Sequence, residues 1–335
     1  MQRYCLSGMS AGCAERKCLA GFGDHMKTFG AIGELGSLDG PLHLAAGFFD
    51  GVHIGHQEVI RTAQREAEAV GGHVVVLTFD RHPASVLRPG TEPRLLTSVR
   101  HKLVLMERLG VAAVLMLRFD EVMAAMEPDE FIGALVRSGR PLASLSVGQD
   151  WRFGKGRTGD VEMLTKVGRR AGFRLHALAP VMTGGEPVSS TRVRLAIEAG
   201  DFAGAALLLG RDYSVLGEVI RGRQLGRRLG FPTANLALEA EQLPPVGVYA
   251  VRAVLDGRIL DGVANLGLRP TVEDGSLTRH FEVHLFGFAD DIYGRQLDVR
   301  FVSRLRDEVR FASLDALKAQ IAEDARRARV ALGMT

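Results

Sequence analysis

From Leu42 onward, short apolar runs alternate with longer amphipathic ones. LHLAA at 42–46 is followed by QEVIRTAQREAEAV, whose apolar positions recur at helical spacing. HVVVLTF, AAVLML and SLSVG are later runs of strand length, separated by the helical patterns SVRHKLVLMERLG and PDEFIGALVRSG. Strands without polar alternation, interleaved with helices, predict a parallel sheet covered on both faces, with ligands beyond the carboxyl ends of its strands. After Gly210 the period shortens. SVLGEVIRG, VGVYAVRAVLD, RILDGVANLG, RHFEVHLFGF and RQLDVRFVSRL alternate and are divided by Gly, Pro and Asp, which predicts an antiparallel barrel or sandwich. SLDALKAQIAEDARRARVALG then predicts a final helix packed against it. The expected organisation is an extension over 1–41, poorly ordered to about residue 25, an α/β domain over 42–209 and a β domain over 210–335.

Composition supports two cores: 46% of the 335 residues are hydrophobic and 24% charged. A net charge of +3 gives no reason to expect duplex nucleic acid as partner. No apolar run approaches the roughly 20 residues that span a bilayer, and the first 40 residues lack the regions of a secretory signal, so the expected compartment is the cytoplasm. The odd number of cysteines, Cys5, Cys13 and Cys18, argues for free thiols over a disulfide framework.

Candidate chemistry begins at GFFDGVHIGHQ, 47–57, where His53 and His56 flank Gly55 in a strand-to-helix turn. Core burial, zinc binding and phosphate binding all compete here. Zinc needs a further ligand at suitable spacing, and none is nearby. A helix N-terminus offers free N–H groups, Gly51 and Gly55 admit close backbone approach, and imidazoles can donate to a polyphosphate. VSSTRVR, 188–194, adds hydroxyls and guanidiniums at a probable helix start; it reads equally as a capped helix or as a clamp on distal phosphates. GKGRTG, 154–159, imitates a dinucleotide fingerprint without its strand context, and GQDWRFGKG a P-loop with the wrong spacing, so a mobile flap is expected there.

In the second half, Gly222, Gly226 and Gly230 with Arg221, Arg223, Arg227 and Arg228 form a basic loop ending in the turn FPTAN. Pro232 would aim the Thr233 hydroxyl and Asn235 amide at one place, as a magnesium-bound nucleotide requires. Glu282 in FEVHLF alternates with Phe281 and Val283, and so faces away from both. It is either solvent-facing or, beside a hydroxyl substrate, a base.

GFFDGVHIGHQ, TFDRHP, VGQDWRFGKGRTGD and VSSTRVR, in this order and spacing, resemble the adenylyltransferase half of bacterial bifunctional riboflavin kinases/FMN adenylyltransferases, also called FAD synthetases. GRRLGFPTANL, FEVHLF, DIYG and RLRDEVRF resemble the kinase half. The resemblance implies an HxGH nucleotidyltransferase domain of Rossmann-like α/β fold, followed by a six-stranded riboflavin-kinase-like barrel. It implies riboflavin, FMN, FAD and ATP as ligands, with Mg²⁺ alongside ATP, and leaves room for a weak homo-oligomer. His53 and His56 would contact the ATP phosphates, within a stretch that also supplies Gly47, Phe49, Asp50, Gly51 and Gly55 to ATP. Ser190, Thr191 and Arg194 would close over the phosphates, while Asp80, His82, Asp150 and Phe153 line the flavin site. In the other half, Gly226, Gly230, Thr233 and Asn235 would meet Mg–ATP, Glu282 act as base and Arg306 lie near flavin. Phe48, Arg81 and Trp151 depart from the family pattern beside the flavin positions. Competing readings are adenylylation of another phosphorylated metabolite, since the histidine turn reads phosphates alone, and a non-catalytic flavin-binding protein.

Overall fold

The computed structural model describes residues 26–222, 226, 229–239, 242–270 and 277–334. The three cysteines, the extension to residue 25, and Arg223, Arg227 and Arg228 lie outside the described residues.

The first part is a six-stranded sheet: β1 (Lys27–Phe29), β2 (Leu42–Ala46), β3 (His73–Phe79), β4 (Ala113–Leu117), β5 (Leu142–Gly148) and β6 (Arg174–Leu178). The strands lie in the order β1-β4-β3-β2-β5-β6, and every pairing is parallel. Helices α1 (Ile54–Val70), α2 (Val99–Arg108), α3 (Pro128–Val136) and α4 (Val161–Ala171) cross between strands. Successive strand residues serve opposite faces, which is why β2 and β3 are largely apolar on both, with His43 and Thr78 as buried polar exceptions. Ala45, Val74 and Val76 pack with Ile60 of α1 and Leu103 of α2, whereas Leu44, Val75 and Leu77 pack on the face of Phe131 and Leu164.

Two further helices, α5 (Ser190–Ala199) and α6 (Phe202–Leu209), lead into a closed barrel. Its strands are β7 (Ser214–Ile220), β8 (Ala234–Leu238), β9 (Gly247–Leu255), β10 (Arg258–Pro270), β11 (Leu277–Leu285) and β12 (Gln296–Arg306). They run β8-β11-β10-β9-β12-β7, and β7 pairs with β8 to close the ring. Inward residues such as Val215, Tyr249, Phe281, Val283 and Phe301 fill it, and the same apolar cluster continues into Val193, Ile197, Phe202 and Leu208 of α5 and α6. Phe202 stacks on Phe301 with ring centroids 5.4 Å apart. The barrel and the two preceding helices therefore share one core. The final helix, α7 (Leu314–Leu332), packs Ala328 and Leu332 on the outer barrel face at Val248, Ala250 and Val263. Among the described residues, no helix is long and apolar enough to cross a membrane.

Candidate functional site

The sheet order places successors of β2 on both its sides, so the crevice of an open α/β sheet falls beyond the carboxyl ends of β2 and β5. The chain leaving β2 makes a tight turn there. Phe49, Gly51 and Val52 all take left-handed backbone, with φ of 56°, 77° and 43°. For β-branched Val52 that is a strained conformation, which persists only where neighbours enforce it.

The turn delivers His53 as N-cap of α1, its Nδ1 accepting the His56 N–H at 3.3 Å. A neutral imidazole that accepts at Nδ1 carries its proton on Nε2, which becomes a donor. The two rings stack with centroids 3.5 Å apart and 15° between planes. Burial, above all, pushes the His53 pKa down to about 4. It also holds His56 well below the ordinary value, with His53 and Lys102 adding to the effect. At neutral pH the pair are donors without charge.

The rings face a cavity of about 270 Å³, lined also by Gly47, Phe49 and Gly55 and, from the end of β5, Gly148 and Gln149. A second cavity, of about 430 Å³, adjoins it and is rich in aromatic side chains, among them Phe79, His82, Phe119 and Phe153. Phe48, Asp150 and Trp151 belong to both. Trp151 stacks on Phe153 at 4.7 Å, and His82 stands edge-on to Phe48 at 4.9 Å. The departures Phe48 and Trp151 thus form the wall between the cavities, while Arg81 pairs with Asp80 at 3.2 Å.

Several expected ligand residues do other work in this structure. Asp50 is 2% exposed. Its Oδ1 accepts the N–H groups of Leu96 and Thr97 at 2.9 and 3.2 Å, and its Oδ2 accepts from Arg194 at 2.5 Å. Burial raises the Asp50 pKa, and Arg194 and then Lys102 oppose that rise. Arg194 is accordingly not a free phosphate arm here: its guanidinium holds Asp50 and the Arg94 carbonyl, the latter at 2.8 Å. Ser190 donates to the Asp50 carbonyl at 3.0 Å, and Gly51 N–H to Thr97 Oγ1 at 3.1 Å, so both brace the turn. Thr191 is exposed in the first turn of α5, which is capped by Ser189. Asp80 lines neither cavity; its carboxylate accepts the Phe119 N–H at 2.9 Å. The loop expected to be a free flap is pinned, because Phe153 and Gly159 exchange backbone hydrogen bonds and Lys155 N–H donates to Met126 at 2.8 Å.

Lys102 escaped the sequence reading. It is 2% exposed on α2, donates to the Phe48 carbonyl at 2.8 Å and lies 4.1 Å over the Phe48 ring. Burial lowers its pKa to about 8 against the pull of Asp50 and Asp80. Its one sequence signal is a lysine among apolar neighbours on a buried helix face.

In the barrel, FPTAN is only partly a turn: Ala234 opens β8, and Asn235 lies within the strand. Asn235 pairs in register with Glu282 of β11, which pairs in turn with Asn265 of β10. Cross-strand partners share a face at roughly 5 Å separation, so the three make one polar row. Phe281 and Val283 are buried inside, and Glu282 therefore faces outward. There it lines a cavity of about 340 Å³ between barrel wall and α7, together with Thr233, Asn235, Gly226, Arg306 and Ile321. Gly222 leaves room for the Asn235 side chain, since a Cβ there would lie 2.3 Å from its amide nitrogen and displace it. Gly230 takes φ 88° in the approach to Pro232 and does not line the cavity. Arg306 is fixed by Asp324 of α7 through Nε at 2.8 Å and Nη2 at 2.6 Å. His284 Nδ1 lies 2.8 Å from the Pro232 carbonyl, which sets the position of Thr233. Thr233 also lines a second cavity, of about 250 Å³, with Val219, Pro232, Asp290, Ile292 and Tyr293. Among the described residues, no cluster of three or more His, Cys, Asp or Glu could hold a metal by itself.

Residues 37–192 match the family model described as FAD synthetase, and residues 209–332 that of riboflavin kinase. A bifunctional riboflavin kinase/FMN adenylyltransferase of Escherichia coli is 41% identical over 293 residues, covering 87% of this chain and 93% of the relative. Proteins of the same description are 41% identical in Pseudomonas fluorescens, over 84% of this chain and 90% of the relative, and 36% identical in Bacillus subtilis, over 85% and 90%. A solved structure described as a macrolide-efflux protein from Streptococcus pneumoniae aligns with a TM-score of 0.77 and 29% identity, over 91% of this chain and 99% of that one.

Proposed function

This chain belongs to the family of bifunctional riboflavin kinases/FMN adenylyltransferases and performs both reactions, and from that premise we propose how its side chains divide the chemistry. Two pairs of cavities carry the reading. One pair meets at Phe48, Asp150 and Trp151 beside the stacked histidines; the other meets at Thr233 beside Glu282.

In the barrel, riboflavin occupies the cavity under α7, where Ile321 and its apolar neighbours cover the ring and Arg306, held by Asp324, marks its polar edge. ATP occupies the cavity on the other side of Thr233. The ribityl hydroxyl must lose a proton as its oxygen bonds to the γ-phosphorus, and Glu282 takes it, while the bond from the γ-phosphorus to the β–γ bridging oxygen breaks and ADP leaves. Asn235 and Asn265, flanking Glu282 in the same row, orient the hydroxyl and phosphoryl oxygens. Thr233 and Asn235 offer hard oxygen donors, which fit Mg²⁺ arriving with ATP better than any softer metal. When bound, Mg²⁺ neutralises charge on the transferring phosphates.

In the α/β site the flavin ring of FMN lies in the aromatic cavity and ATP over the histidine turn. The attacker is a phosphate whose second pKa is about 6, so it is already dianionic at neutral pH and needs no base. Its oxygen forms a bond to the α-phosphorus while the bond to the bridging oxygen of pyrophosphate breaks. Charge accumulates on the departing pyrophosphate, where His53 Nε2–H, the His56 ring and the free N–H groups of α1 donate. Neutral imidazoles suit this task, because an approaching polyphosphate raises their pKa and tightens each hydrogen bond as charge develops. We place both reactions in the cytoplasm, where ATP is supplied.

Chromatography of flavin products tests the division. Glu282→Gln should reduce FMN formation roughly 10²- to 10⁴-fold and still convert supplied FMN to FAD. The pair His53→Ala and His56→Ala should make FMN but not FAD. Equal loss of both activities in either protein would refute the assignment.

A further inference from the structure

The strained turn that presents His53 is enforced partly from outside the sheet. Arg211 lies between α6 and β7, at the entrance to the barrel, and its Nη2 donates to the Gly51 carbonyl at 2.9 Å. Its Nη1 reaches the carbonyls of Val52 at 3.3 Å and Leu209 at 3.5 Å. Gln57 of α1, 7% exposed, closes the same joint by donating to Val52 at 3.0 Å and Leu209 at 2.8 Å. The approach is close: at Gly210, φ 68°, a Cβ would meet Ile54 at 2.9 Å. Behind Arg211, Asp298 of β12 is buried and accepts from Arg108 of α2 at 2.6 Å, a second tie between barrel and sheet. Burial lowers the Arg211 pKa to about 10, with Asp298 the main opposing influence. The guanidinium keeps its charge at neutral pH.

A guanidinium can satisfy two adjacent carbonyls because its donors form a rigid planar fork. Gly51 and Val52 are the two left-handed residues immediately before His53. Among the described residues, Arg211 donates to both of their carbonyls, whereas Gln57 reaches Val52 alone. We infer that Arg211 is a positioning residue for adenylyl transfer: from the barrel side it fixes the 51–52 backbone and hence the angle at which the stacked imidazoles meet the triphosphate. The barrel is then part of the adenylylation machinery as well as the seat of the kinase. This inference rests on the assignment of the histidine turn to adenylylation.

The test uses full-length Arg211→Gln and Arg211→Lys, each assayed for FAD formation from FMN and for FMN formation from riboflavin, with thermal melts. Arg211→Gln should lower kcat of adenylylation roughly 10- to 100-fold, the scale of lost charge-assisted hydrogen bonds, with smaller changes in KM for ATP and FMN and with kinase kcat unchanged. Arg211→Lys keeps the buried charge but lacks the fork, so it should melt like the parent and still lose adenylylation kcat several-fold. Parental adenylylation in Arg211→Lys would overturn the inference, as would losses of the two activities in parallel with the folded fraction. The double histidine variant separates the two levels. If it retains FAD formation the site assignment fails; if it loses FAD formation while the Arg211 variants do not, only the role of Arg211 fails.

Discussion

Acidification should destabilise the α/β site by an amount that one substitution removes. The His53 pKa is pushed from 6.5 to about 4 by burial, so between these values the unfolded chain binds a proton that the folded one refuses. The unfolded state therefore binds more protons across that window, stability rises with pH through it, and the contribution is lost as pH falls. The full effect is about 3.4 kcal/mol, of which about 1.8 kcal/mol is lost between pH 7 and pH 5. His53→Asn removes the titration but keeps the cap, because an Asn side chain accepts the N–H of a first-turn residue as well as any. Urea unfolding is followed through Trp151, the one tryptophan of the sequence and a wall of the site. The parent should lose about 1.8 kcal/mol more than His53→Asn on passing from pH 7 to pH 5. Identical pH dependence in the two proteins would refute the claim that His53 is held neutral. FAD formation should fail in His53→Asn while FMN formation persists, which separates its catalytic role from its role as a cap.

Gly222→Ala places a methyl 2.3 Å from the Asn235 amide nitrogen, the far end of a short side chain that can swing aside. Stability should change by less than about 1 kcal/mol while riboflavin phosphorylation falls at least tenfold and adenylylation is spared, as product chromatography and a urea titration would show. Asp324→Ala removes the carboxylate that orients Arg306 and leaves its bond to the Asp307 carbonyl, so the KM for riboflavin should rise several-fold with little effect on the KM for FMN in adenylylation; equal changes in both would remove the Arg306–Asp324 pair from the kinase site. Arg194→Met strands the buried Asp50 carboxylate and should cost about 3–5 kcal/mol by urea unfolding, and Asp50→Asn in the same chain should recover part of it.

What is legible in the sequence is what is encoded locally. LHLAA and HVVVLTF are strands because a mostly apolar run of that length can be buried on both faces. His53 and His56 are legible because one helical turn brings residues three apart together. Glu282 is legible by period two, but the sequence does not say what its face meets. That the outer wall belongs to α7, through Asp324 and Ile321, depends on packing between segments far apart in the chain. RLHAL is an edge strand with partly polar positions and offers no apolar run to notice. FPTAN reads as a turn because Pro232 dominates the local pattern, yet pairing with β7 and β11 on both sides draws Asn235 into a strand. The same limit explains Asp50 and Arg194. A carboxylate and a guanidinium 144 positions apart look like ligand groups individually, and only the fold shows that they satisfy each other. Lys102 and Arg211 hold carbonyls of the turn from other elements, and no pattern around either residue announces it.

One chain holds two separate active sites, and FMN made at one is the substrate of the other. The most direct measurement mixes Glu282→Gln with the His53→Ala, His56→Ala double variant in the presence of riboflavin, ATP and Mg²⁺ and follows FAD by chromatography. Each protein alone should fail to convert riboflavin to FAD, and the mixture should succeed, because each supplies the site the other lacks. A mixture that makes no FAD, or either protein making it unaided at the parental rate, would show that the two reactions do not occupy the separate sites assigned to them.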